Sequence, residues 1–159
     1  EETEKIAEAV TIAAVKYSIL KQAPGRDIIF DLAKSLSLEG DSGPYLQYAY
    51  VRAFAVIEKA RAENISPNIT QPPSEISELE KRLIRFPEVV ARATALYAPN
   101  LLITYLTELA SAFNVYYATQ KIVDPADSQS PYRLALTSAF SGIMKSGLTL
   151  LAIPVLEKM

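Results

Sequence analysis

Apolar residues recur along this chain at intervals of three and four, and proline and glycine cut the runs that carry them. Ile6, Ala9, Val10, Ala13, Tyr17 and Leu20 share one face of a helix that "APG" ends. Asp27 is expected to cap a short second helix through Ile28, Ile29, Leu32 and Leu36. "LEGDSGP" reads as a turn, and Pro44 suits the first position of a third helix running to about Asn64. "NISPNITQPPS" reads as a loop. Residues 75–98 form two helical pieces parted at "FPE", because Pro87 forbids one straight helix.

The long run "NLLITYLTELASAFNVYYATQK" puts Leu102, Tyr105, Leu109, Ala112, Phe113 and Tyr116 on one face. After a second loop, "VDPADSQSP", a last helix starts near Pro131, loosens at Gly142 or Gly147 and stops before "IPVLEKM". Strand alternation and internal repeats are absent from the pattern. The expected fold is an all-α bundle of about six to seven helices.

Composition narrows what such a bundle can do. The chain has 159 residues, half of them hydrophobic, enough for one medium domain or two small ones with a real core. A net charge of −2 supplies no global pull toward nucleic acid or anionic lipid, so any such binding rests on a local patch. The absence of cysteine and histidine excludes thiolate zinc sites, thiol nucleophiles, the usual triads and imidazole metal sites. That composition suits a reducing cytoplasm. The start "EETEKIAEAV" is unlike a signal peptide, no apolar run approaches the roughly 18 residues of a membrane span, and the first residue is not methionine. The chain is read as a piece of something longer.

Tyrosine is the one chemically versatile residue in abundance, and "GPYLQYAYVR" concentrates it. At about 100° per residue, Tyr45, Tyr48 and Arg52 form a narrow stripe beside a second made of Leu46, Tyr50, Ala53 and Ile57. The second stripe is a core face. The first has two readings: tyrosines closing the margin of a core with Arg52 reaching water, or aromatic faces that stack unpaired bases beside a guanidinium that holds a phosphate.

Other candidates read as structural. Asp31, Glu39 and Asp41 could bind Mg²⁺ or act as acid and base, but they sit at helix ends and in a turn, where aspartate caps. Lys81, Arg82, Arg85 and Arg92 could steer phosphates, but Glu75, Glu78, Glu80 and Glu88 balance them. No serine or threonine has a plausible activating base.

"FDLAKSLSLEGDSGPYLQYAYVRA" resembles the segment of arginyl-tRNA synthetases that leads from the catalytic side into the anticodon-binding bundle. "RLIRFPEVVARA", "YLTELASAFNVYY" and "RLALTSAFSGIMKSGLTLLAIPVLEKM" resemble the helices that follow in that class I family, to its terminal methionine. The likeness runs from about Ala9 to Met159. Two departures stand out. Ala152 replaces the glycine of the frequent "LLGI", which speaks against a glycine hinge before the tail, and Lys158 replaces arginine, losing a bidentate fork.

The resemblance implies a carboxyl-terminal, DALR-type anticodon-binding bundle over residues 43–159, preceded by connecting helices over 1–42 that touch the inner corner of the tRNA. It implies an arginine tRNA and the missing catalytic domain as partners, with Tyr45, Tyr48, Arg52, Asn114, Tyr116, Tyr117, Lys158 and Met159 near the anticodon. Full-length relatives would use ATP with Mg²⁺. This chain has neither a HIGH-like nor a KMSKS-like motif, so no cofactor is expected here and the fragment should be inactive alone. An apolar face around Ile12, Val15 and Ile19 would be left for oligomer contacts. The alternative is a helical protein–protein module whose tyrosine stripe docks a partner helix, with no RNA role.

Overall fold

The computed structural model describes residues 1–70 and 72–159, and the regular structure among them is helical throughout. Seven helices follow one another: α1 (Glu2–Leu20), α2 (Leu32–Ser35), α3 (Gly43–Ala62), α4 (Glu78–Leu83), α5 (Phe86–Ala95), α6 (Pro99–Thr119) and α7 (Ser130–Leu150). The all-α expectation holds. The loop expected over "NISPNITQPPS" carries no helix where it is described, and Gln71 within it lies outside the described residues.

Helix α6 is the hub, with α3, α4, α5 and α7 all packed against it. Its buried positions therefore exceed one face. Ile103, Leu106 and Ala110 join Leu102, Tyr105, Leu109 and Phe113 in the core, while Ala112 and Tyr116 are only half-buried. Phe113 stacks on Phe140 of α7 with ring centroids 3.9 Å apart. Helix α1 lies along α3, and its Ala13 and Tyr17 enter the same core. The Tyr17 hydroxyl donates to Asp41 Oδ1 at 2.6 Å and lies 2.9 Å from Thr107 Oγ1. Burial, reinforced by that carboxylate, holds its pKa far above the ordinary tyrosine value.

Two expectations about helix limits fail. The short second helix is capped by Asp31, whose side chain accepts from the Lys34 N–H, and not by Asp27. Ile28, Ile29 and Phe30 stay outside it, as β-branched and aromatic residues readily do. Helix α7 does not loosen at either glycine but runs unbroken to Leu150. A Cβ on Gly147 would come within 2.6 Å of Leu106 Cδ2, so this glycine allows α6 and α7 to approach closely.

Three helices end alike without glycine. Asn64, Tyr97 and Ala152 take φ values of 57°, 49° and 52°, just past α3, α5 and α7. In each case the next amide reaches back to the helix: Ile65 to Ala60, Ala98 to Ala93 and Ile153 to Leu148, all at 2.9 Å. These are Schellman caps built on residues that carry a Cβ.

Candidate functional site

The start of α3 is built to hold its tyrosines at one register. Ser42 accepts from the Tyr45 N–H at 3.1 Å, capping the helix, and its own hydroxyl donates to the Ser37 carbonyl. Gly43 lies against the backbone of α1, where a Cβ would run into the Ala13 carbonyl. The expected division of the helix follows. Leu46, Tyr50 and Ala53 are buried and Ile57 half-buried, while Tyr45, Tyr48 and Arg52 sit half-exposed beside them.

Arg52 is the centre of what that second stripe builds. Its guanidinium carbon lies 4.7 Å from the Tyr48 ring centroid and 5.0 Å from that of Tyr117, which arrives from α6. Arg52 Nη1 donates to Asn114 Oδ1 at 2.5 Å, and Asn114 Nδ2 donates to the Tyr45 hydroxyl at 3.0 Å. Tyr117 is itself backed by Phe113, with ring centroids 6.3 Å apart. Five residues singled out from the sequence, on two helices, thus form one connected group.

That arrangement leaves chemistry available. An arginine has five N–H donors in a fixed fork, and among the described residues Arg52 bonds only Asn114 and pairs with no carboxylate. Each ring–cation contact contributes roughly 0.5–1 kcal/mol at an accessible site and orients the fork. The group therefore presents a positioned cation and the exposed ring of Tyr117, which is 42% accessible. An anion beside a flat, apolar face is the ligand such a group fits.

The remaining candidates lie elsewhere. Tyr116 is turned from Tyr117 by one helical step and lines a separate cleft of about 260 Å³ with Glu80, Gln120, Tyr132 and Arg133. Burial there pushes its pKa up to about 12. Lys158 lies 3.3 Å from Glu2 on the surface, and Met159 is 42% accessible. Asp31 and Asp41 are engaged in capping and with Tyr17 and Lys21, and no metal-ligating cluster is formed among the described residues. Lys81 and Arg82 pair with Glu78 and Glu108, leaving Arg85 and Arg92 beside a cleft shared with Glu88.

Sequence reasoning passed over Gln47. It is fully buried, and its Nε2 donates both to the Ala9 carbonyl at 3.2 Å and to the Pro154 carbonyl at 2.8 Å. It ties the last segment to α1 and α3, and Lys16 adds a bond to the Ala152 carbonyl. The signal was present in the pattern: one amide stands among the apolar positions of α3.

Comparison with known proteins agrees with this geometry. Residues 46–159 match the model of the DALR anticodon binding domain. The whole chain aligns at 38% identity with the arginine–tRNA ligase of Lactococcus lactis subsp. cremoris, covering 28% of that protein. It aligns at 36% with that of Thermococcus kodakarensis, covering 26%. The fold superposes on Thermus thermophilus arginyl-tRNA synthetase with a TM-score of 0.80 and 32% identity, over 98% of this chain and 28% of that one. The chain thus spans little more than a quarter of the relatives it matches. By the match over residues 46–159, the chain belongs to the DALR anticodon binding domain family.

Proposed function

We propose that this chain is the tRNA-gripping part of a longer arginine–tRNA ligase, and that Tyr45, Tyr48, Arg52, Asn114 and Tyr117 hold its anticodon loop. The observation that carries this reading is Arg52, a cation without a carboxylate partner among the described residues, held over two tyrosine rings. An anticodon loop offers what that group lacks: phosphates for the fork and splayed bases for the rings. Lys158 and Met159 would close the grip from the tail, and Tyr116 would support Tyr117 from behind. Residues 1–42 would connect the bundle at 43–159 to the catalytic part.

On this reading the partners are an arginine tRNA and that catalytic part, and the work is cytoplasmic. ATP with Mg²⁺ would be bound outside this chain, which has no HIGH-like or KMSKS-like motif. No described helix is long and apolar enough to cross a membrane. Val15 and Ile19, 40% and 45% accessible on α1, offer a face for self-association when the chain is alone.

Salt dependence tests the reading. RNA binding that neutralises phosphates weakens steeply with ionic strength, whereas an apolar groove for a partner helix barely responds. Titrating an arginine tRNA into the chain from about 50 to 200 mM salt should lower affinity by tenfold or more. Arg52→Ala should flatten that slope. Salt-independent binding, or a slope unchanged in the variant, would reject the assignment.

A further inference from the structure

The largest concentration of bare apolar surface lies away from the Arg52 group, between α1 and α3. Ile28, Ile29, Phe30, Leu32, Leu36 and Leu38 are 52%, 79%, 48%, 63%, 43% and 49% accessible. All six precede Leu46, where the match to the anticodon-binding family begins. They nevertheless lie within the span shared with full-length relatives, which align with this chain along its whole length. A monomeric protein seldom leaves so many large apolar side chains bare in so short a run.

The backbone of this stretch is as unpartnered as its side chains. Residues 27–31 have no helix or turn, and Asp31 is extended at φ −114°, ψ 112°. Among the described residues no backbone hydrogen bond reaches Ile28, Ile29 or Phe30. Their exposure alternates, with Ile29 more open than its neighbours on either side, the period of a strand. The run Ile-Ile-Phe has high strand propensity, and an unbroken apolar run is typical of a strand covered on both faces. Lysine, proline and bulges, which blunt a free strand edge, are all absent from Ile28–Phe30.

We infer that Ile28–Phe30 is a β-strand awaiting a sheet, and that it pairs by strand addition with an edge in the part of the full-length ligase beyond the shared 28%. This rests on the reading of the chain as part of a longer ligase. Backbone pairing supplies the missing hydrogen bonds, and the sheet and its covering layer bury Ile29 together with Leu32 and Leu36 of the adjoining α2. The single turn of α2, fastened to α1 by the Ser18–Ser35 hydroxyl contact at 2.8 Å, then carries the strand's position to α1 and α3. Docking of the two parts and presentation of the tyrosine helix become mechanically linked.

Amide hydrogen exchange tests this, comparing the 159-residue chain with the full-length ligase that contains it. The Ile28, Ile29 and Phe30 amides should exchange near the unstructured rate in the chain alone. In the full-length protein at least one should slow by 100-fold or more. Equally fast exchange in both would overturn the strand. Slow exchange in the chain alone that quickens on dilution would assign the edge to a second copy and overturn the proposed partner. The salt titration with Arg52→Ala reads the RNA function separately, so loss of tRNA binding with amide protection intact would reject that function and keep the strand.

Discussion

Arg52 and Asn114 come from helices 62 residues apart in the chain and meet at 2.5 Å. The bond uses one corner of a guanidinium whose plane is already set by Tyr48 and Tyr117. The remaining donors point where a ligand could reach them, in an orientation the protein has settled beforehand. Preorganisation of this kind lowers the ordering cost of binding.

Asn114→Ala should therefore weaken binding of an arginine tRNA by roughly tenfold, about 1.4 kcal/mol, with little change in thermal stability. Arg52→Lys should do at least as much, because an ammonium keeps the charge but neither stacks nor forks. Fluorescence-anisotropy titration beside a thermal melt separates the two effects. Equal losses of affinity and stability would make the group structural.

Two glycines should respond to alanine in opposite directions. At Gly43 the added Cβ meets α1 backbone, which cannot step aside, and Gly43→Ala should destabilise by about 1–3 kcal/mol. At Gly142 nothing lies within 4 Å of the new Cβ, and Gly142→Ala inside α7 should stabilise by up to about 1 kcal/mol. Urea denaturation of both variants provides the comparison.

Ala152 holds φ at 52° to complete the cap of α7, a conformation that glycine adopts without the Cβ penalty. Ala152→Gly should raise stability by about 1 kcal/mol and the melting temperature by roughly 2–4 °C for a domain of this size. A lower melting temperature would contradict this account of the cap.

Alkaline pH should unfold the protein through its tyrosines. Tyr132 is pushed up to about 12 by its hydrogen bond to Glu80 and by burial, and Tyr105 and Tyr116 to about 12 chiefly by burial. An unfolded tyrosine ionises near pH 10, so above that the unfolded state holds fewer protons than the folded one. Stability should be level below about pH 9 and fall as pH climbs from 10 through 12. Tyr132→Phe should soften that fall, which denaturant midpoints measured against pH would show.

Much of the fold was legible because helical periodicity and proline punctuation coincide here. The tyrosine stripe was legible for the same reason: positions 45, 48 and 52 have to share a side once Pro44 starts the helix. The ends of α3, α5 and α7 were harder to see, since their left-handed caps use Asn64, Tyr97 and Ala152, and only tertiary packing reveals that such residues accept that backbone. Asp27 and Asp31 could each cap a helix, and Ile-Ile-Phe decided between them by declining to coil. The pattern placed Tyr116 and Tyr117 together because it counts residues, whereas adjacent side chains leave a helix about 100° apart. Ser77 and Glu80 form a full capping box that three-residue spacing could have announced.

The central claim is that the Arg52 group reads an anticodon loop and does not merely attract phosphate. The direct test is a thermodynamic cycle on an arginine tRNA anticodon stem-loop, with and without a change of the middle anticodon base, titrated against the chain and its Tyr48→Ala variant. The account predicts that the base change weakens binding to the chain by tenfold or more and leaves binding to the variant nearly unaffected. An equal penalty in both proteins, or none in either, would contradict it.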